Sequence, residues 1–160
     1  MIFVTAGTQL PFDRLIKTID DIAAEFPNTN FVVQALYSNY KAKNIDVLDF
    51  ISPADFTKYI DDCDLIISHA GMGTIISALV KKKPIIVMPR LAKYKEHRNE
   101  HQLGTAKQMD LLGYVDVAYD EYELVYKFRQ MWPNQVVPRN SIGYVASEKI
   151  ITSLNDFIKY

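Results

Sequence analysis

Short apolar runs alternate with helical patterns along almost the whole chain. Ile2-Phe3-Val4-Thr5 opens as a buried strand and leads into the turn Ala6-Gly7-Thr8-Gln9. Phe12, Leu15, Ile16, Ile19, Ile22 and Ala23 then recur at helical spacing and stop before Pro27. Residues 31–35 and 47–51 read as a second and a third strand. Residues 54–62 read as a short helix, with Ser52 as its cap and Pro53 in its first turn. Residues 65–68 and 85–88 are apolar almost throughout, which marks strands covered on both faces of a parallel sheet. A helix over 74–81 lies between them. A further helix over 101–112, a last strand over 114–117 and two tail helices, 121–131 and 144–158, complete the pattern, with a Pro-bearing loop over 132–140. Strand and helix units of this length predict one domain over residues 1–160, a doubly wound, Rossmann-like α/β fold with a mostly parallel sheet.

Composition narrows the class. With 160 residues, 49% of them hydrophobic and 23% charged, the chain has the make-up of an ordinary globular domain with a core of its own. A formal net charge of −1 argues against a general nucleic-acid binder. The single cysteine, Cys63, has no internal disulfide partner, and no basic segment precedes the first strand, so a cytoplasmic address is expected. No apolar run approaches the roughly 20 residues of a membrane span. Membrane contact is therefore expected to be peripheral, through a partner.

The chemistry concentrates in Ser68-His69-Ala70-Gly71-Met72-Gly73-Thr74, set between a buried strand and a helical pattern. A strand running through a Gly-rich turn into a helix gathers free backbone N–H groups and the helix dipole at one spot, which attracts phosphate. Glycines let a diphosphate come close to the backbone, and His69 adds a group that is neutral or charged near pH 7. A dinucleotide fingerprint would need a third glycine where Ile76 stands, and no Walker lysine motif or Gly-x-Ser-x-Gly elbow is present. In doubly wound sheets, ligands lie beyond the carboxyl ends of the strands. Gly7-Thr8-Gln9, residues 69–74 and residues 89–102 all fall at that end.

Taken together these segments resemble the C-terminal, donor-binding half of the two-domain GT-B glycosyltransferases, of the family-28 C-terminal type. The resemblance rests on Val4-Thr5-Ala6-Gly7-Thr8-Gln9 with Pro11-Phe12-Asp13-Arg14-Leu15-Ile16, on residues 67–74 with Lys83-Pro84-Ile85-Ile86-Val87-Met88-Pro89-Arg90, and on Glu96-His97-Arg98-Asn99-Glu100-His101-Gln102. It covers residues 1–118. Stand-alone halves of this type occur in a eukaryotic enzyme that adds N-acetylglucosamine to a dolichol diphosphate, and in a bacterial exopolysaccharide or capsule pair. The wording of the motifs is closer to the bacterial pair, which implies β-1,4 transfer of galactose or glucuronic acid from UDP to a polyprenyl-diphosphate-linked sugar. An N-acetylglucosaminyltransferase subunit, or a non-catalytic regulatory subunit of such a pair, is the alternative.

The resemblance implies a donor site made of Gly7, Thr8, Gln9, His69, Ala70, Gly71, Met72, Gly73, Thr74, Ser77, Arg90, Glu96, His97, His101 and Gln102. His69 and the turn amides would hold the diphosphate; residues 96–102 would hold sugar hydroxyls. Ser77 stands where the family usually has a ribose-binding glutamate. Either Glu96 or Glu100 replaces that contact, or the chain manages without it. No metal and no cofactor is implied beyond the UDP-sugar substrate. The general base is expected on a membrane-anchored, acceptor-binding partner subunit. Three further features read as structural. Lys81-Lys82-Lys83 is a solvated helix end, with attraction to anionic lipid as the other reading. Asp61-Asp62-Cys63-Asp64 is a helix end with a strand entry. The aromatic tail, with Tyr114, Tyr119, Tyr122, Tyr126, Phe128 and Trp132, is core packing, any exposed part being a partner surface.

Overall fold

A computed structural model of the chain describes residues 1–143; the helix expected over 144–158 lies outside the described residues. Six strands, β1 (Ile2–Thr5), β2 (Phe31–Gln34), β3 (Val47–Leu48), β4 (Leu65–His69), β5 (Ile85–Met88) and β6 (Asp116–Val117), form one sheet. Its order is β3-β2-β1-β4-β5-β6 and every pairing is parallel. Among the described residues five α-helices connect and cover it: α1 (Asp13–Glu25), α2 (Pro53–Asp62), α3 (Met72–Val80), α4 (His101–Leu111) and α5 (Glu121–Met131). This is the doubly wound α/β architecture that the alternation predicts.

Side chains alternate across each strand, so each strand feeds two cores. Ile2, Val4, Leu65, Ile67, Ile86 and Met88 face α1 and α5, meeting Leu15, Ile16, Ile19, Leu124 and Phe128. Phe3, Ile66, Ile85 and Val87 point the other way and meet Ile60 of α2, Ile75 and Leu79 of α3, and Ala106 of α4. Within the tail, Phe128 is fully buried against Phe26, Phe31 and Trp132, whereas Tyr122 and Tyr126 are exposed.

The strand order also fixes where a cleft opens. From β1 the chain winds outward through β2 and β3, then returns to lay β4 on the other side of β1. The crossovers leaving β1 and β4 therefore diverge, and a crevice is left beyond the carboxyl ends of these two strands.

Several boundaries differ from the expectations, each for a local reason. Strand β3 stops at Leu48 because the next residues leave the sheet: the Asp49 carbonyl accepts from Gln34 Nε2 at 3.2 Å and Phe50 is exposed. Strand β6 starts at Asp116 because Gly113, at φ 72°, ends α4. The Gly113 and Tyr114 amides are drawn back to the Asp110 and Met109 carbonyls, which takes 114–115 out of the sheet. Helix α3 begins at Met72, two residues early, so its first turn lies inside the Gly-rich segment. The expected cap of α2 is present, the Ser52 hydroxyl accepting from the Asp55 amide at 3.1 Å. Asp120 caps α5 in the same way, accepting from the Glu123 amide at 2.8 Å.

Asp20 carries a structural role that helical spacing does not reveal. It is buried on α1 and accepts from the Tyr40 hydroxyl (2.8 Å) and the Lys43 and Asn44 amides (3.0 and 2.7 Å), pinning the β2–β3 connection to the helix. Burial alone would push this carboxyl up, but the hydrogen bonds outweigh it and hold the group below its ordinary range.

Candidate functional site

The crevice between β1 and β4 holds a cavity of about 560 Å³. Its floor is the ends of three strands, contributed by Thr5, Gln34 and His69. The turn after β1 supplies Gly7, Thr8 and Gln9; the turn after β4 supplies Gly71, Gly73 and Thr74; the segment after β5 supplies Arg90, His97 and Gln102. The three segments expected to converge do converge, and ten of the fifteen candidate residues line one cavity.

His69 sits at the centre of this arrangement. Its ring is wedged between two glycines: a Cβ at Gly7 would fall 2.8 Å from Cε1, and one at Gly71 would fall 2.3 Å from Nε2. Gly7 also has φ 77°, so both the backbone and the ring require glycine there. Gly73 is different, since a Cβ there would meet nothing within 4 Å. The protein's own packing leaves the face of the turn above Gly73 open.

The imidazole is neutral at pH 7. Burial, then the neighbouring Arg90 charge, pushes His69 down to about 4, against a smaller opposing effect from the Thr5 carbonyl. Nδ1 lies 3.4 Å from that carbonyl, which only accepts. This contact suits a proton on Nδ1 and leaves Nε2 with its lone pair beside Gly71. The ready donors of the site are therefore backbone amides: the first turn of α3 presents N–H groups with no partner inside the helix, at the positive end of its dipole.

The side chains of five candidate residues lie outside this cavity. Ala70 is buried in the core behind the turn, and Met72 is turned outward and exposed. The Ser77 hydroxyl donates back to the Gly73 carbonyl at 2.9 Å, and the residue lines a separate apolar groove with Ile60 and Ile76. His101 opens α4 beside a shallow cleft with Asn99 and Thr105. Glu96 is turned inward: its carboxylate accepts from Arg14 Nε and Nη2 at 2.8 and 2.9 Å and from the Leu91 amide at 3.0 Å. Those bonds occupy the group that was expected to hold a sugar. Glu100, the other candidate for the ribose contact, accepts from the Ala92 amide at 3.1 Å. Arg90 borders the cavity, but its guanidinium is directed at backbone carbonyls (below).

Two groups of lining residues are not evident in the sequence. Phe50, Ile51 and Phe56 make an apolar wall on the β3–α2 side. They fall in a stretch that periodicity assigns partly to strand, and the signal available was the apolar pair directly ahead of the Ser52-Pro53 helix start. Gln34 is a buried amide in a strand, itself an informative anomaly; it accepts from the Thr5 hydroxyl at 2.8 Å and donates to the Gly7 carbonyl at 3.4 Å. The structural readings of the charged clusters fit their contacts. Lys81 pairs with Asp61 at 2.8 Å, Lys83 Nζ donates to the Asp61 and Cys63 carbonyls, and Asp64 meets the amino terminus.

The glycosyltransferase family 28 C-terminal domain matches residues 1–142. The chain is similar to the "UDP-N-acetylglucosamine transferase subunit ALG13" of Candida albicans, at 40% identity over 75 residues, which are 47% of this chain and 24% of that protein. It is similar to the subunit of the same name in Cryptococcus neoformans, at 36% identity over 95 residues, 57% and 44% of the two chains. The matched stretches thus span less than half the length of these curated relatives. Among solved structures, an NMR structure of ALG13 superposes with a TM-score of 0.60 at 22% identity, over 96% of this chain and 93% of that one. The glycotransferase of kitacinnamycin gives 0.59 at 18% identity, over 83% and 35%. These two likenesses speak to the fold. Both curated relatives are named as N-acetylglucosamine transferase subunits, and neither supports the exopolysaccharide reading drawn from motif wording.

Proposed function

The chain belongs to the family of glycosyltransferase family 28 C-terminal domains, and we propose that it is the donor-binding subunit of a transferase moving N-acetylglucosamine from UDP to a polyprenyl-diphosphate-linked acceptor. The observation that carries this reading is the cavity at the β1–β4 crevice, where the open face above Gly73 meets the first turn of α3. A diphosphate laid there accepts from the turn amides and faces the positive end of the helix dipole. The apolar wall of Phe50, Ile51 and Phe56 suits a uracil ring. Gln9, Gln102 and His97 have the donors and acceptors to engage hydroxyls of ribose and sugar.

In transfer, negative charge builds on the departing UDP. Preoriented amides, helped by the nearby Arg90 cation, stabilise it without a metal or other cofactor. His69 is neutral before the donor arrives. A diphosphate close to Nε2 favours its protonation, so donor binding is expected to take up a proton below neutral pH. The acceptor hydroxyl still needs a base. This reading assigns the base and the acceptor site to a membrane-associated partner, with the chain held at the inner face of the membrane through that partner. Among the described residues no helix is long and apolar enough to cross a membrane.

Calorimetric titration tests the reading. UDP is expected to bind, with affinity falling at least about tenfold in His69→Ala, the loss of roughly one good polar contact. UDP-N-acetylglucosamine is expected to bind more tightly than UDP-glucose, UDP-galactose or UDP-glucuronic acid. A preference for one of those hexoses would overturn the sugar assignment, and no UDP binding would overturn the donor-binding role of the isolated chain.

A further inference from the structure

The cavity is flanked by two loops, 6–11 after β1 and 89–96 after β5, and a buried charge cluster ties them together. Arg90 is 3% exposed although it carries a full charge. Its Nη2 donates to the carbonyls of Ala6 and Leu10, both at 2.6 Å, and its Nη1 to those of Pro11 and Glu96. One planar guanidinium thus clasps the first loop at three points and its own loop at a fourth. Behind it, Glu96 receives two parallel bonds from Arg14, the first turn of α1, and one from the Leu91 amide. Arg14 further donates to the Pro89 carbonyl at 3.0 Å and reaches Glu121 at 3.4 Å. Both guanidinium carbons lie near the Phe12 ring, Arg90 at 4.7 Å and Arg14 at 5.4 Å from its centroid.

The arrangement costs desolvation of two cations and of Glu96; both carboxylates, Glu96 and the more exposed Glu121, pair with Arg14, and Arg90 donates to carbonyls. Such a cluster is poor as a source of stability alone. What it achieves geometrically is specific: it sets the carbonyls of residues 6, 10 and 11, so the Gly7-Thr8-Gln9 turn has one position relative to His69. It also places the Arg90 amide where it donates to Gln102 Oε1 at 3.1 Å, orienting that side chain along the cavity wall.

We propose that Arg90 and the Arg14–Glu96 pair form a positioning lock that holds the two loops in the arrangement the donor needs. Arg14 and Glu96 are positioning residues: neither lines the cavity, and both act through the loops. Arg90 acts by its fork of donors rather than by its charge alone, a distinction that lysine exposes because its single ammonium cannot span four carbonyls. The inference rests on the cavity being the donor site. Loop geometry in the free protein is a readout that does not depend on it.

The experiment uses the full chain, ¹⁵N-labelled, as wild type, Arg14→Lys, Glu96→Gln, the double variant and Arg90→Lys. UDP affinity is measured well below each melting temperature, and backbone amide resonances are recorded without ligand. The lock predicts that each single variant weakens UDP binding about fivefold or more. It predicts that the double variant is within about twofold of the weaker single one, because coupled residues are not additive. It also predicts that resonances of Gly7, Thr8, Gln9 and Leu10 shift or broaden while those of β4 stay in place. Wild-type affinity and wild-type loop resonances in folded variants would overturn it. Weakening by Glu96→Gln with none by Arg14→Lys would also overturn it, since that pattern marks direct contact of Glu96 with the donor. If wild type fails to bind UDP, the donor assignment falls, and the loop resonances alone decide the lock. If Glu96→Gln does not fold, Arg14→Lys carries both readouts.

Discussion

Gly71 and Gly73 sit two residues apart in one turn and are glycine for different reasons. At Gly71 a methyl group would enter the His69 ring, so Gly71→Ala is expected to displace the imidazole and lower both stability and UDP affinity. At Gly73 the fold has room, and the residue lies in the first turn of α3. Gly73→Ala is therefore expected to leave stability unchanged or raise it by up to about 1 kcal/mol while weakening UDP binding. Denaturant melts beside calorimetry separate the two cases; equal UDP affinity in Gly73→Ala and wild type would mean that no phosphate rests on that face. His69 also makes a pH prediction. Its ordinary value of 6.5 falls to about 4 in the folded chain, so between these values the unfolded chain binds more protons. Stability from this residue is intact above pH 6.5 and declines as pH falls toward 4, by at most about 3 kcal/mol. Denaturation of His69→Gln across that window should lack this component of the slope, and an unchanged slope would place the titration elsewhere.

Among the elements, α5 shows how the tail is anchored. Its cap, Asp120, and its buried ring, Phe128, fix one face of the helix on α1 and the sheet, and Tyr122 and Tyr126 are left on the other. Phe128→Ala removes a fully buried ring from among three aromatic neighbours, and a loss of about 3–5 kcal/mol is expected by urea denaturation. A cost below about 1 kcal/mol would show that α5 is only loosely docked. The short strand β3 teaches a second lesson. Alternation extends the strand through residue 51, yet pairing ends at Leu48 and the following residues form the apolar wall of the cavity. A hydrophobic run tells that residues are wanted on a surface; it does not tell whether that surface belongs to the sheet or to a cleft beside it.

For the molecule as a whole, the cavity proposed for the donor lies on an open crevice, and the proposed chemistry needs an acceptor site facing it. The isolated chain is expected to bind UDP yet to turn over a lipid-linked acceptor poorly, and co-purification with the partner should restore transfer; ordinary enzymatic rates from the chain alone would refute the heteromer. Much of this was legible in the residues themselves. The doubly wound fold follows from the alternation of strand and helix. The Gly-rich turn at 69–74 is legible as a contiguous motif, because turn chemistry and periodicity are properties of neighbouring residues, and the family membership is legible in three short motifs taken together. Tertiary structure alone decided the rest. Strand order set β4 beside β1 and so made a crevice from segments far apart in sequence. Glu96 found Arg14 across 82 residues and turned away from the cavity, and Arg90 was drawn to four carbonyls. A charged residue in a motif advertises what it can bond to, but once it is buried, the nearest unsatisfied partner in three dimensions takes it.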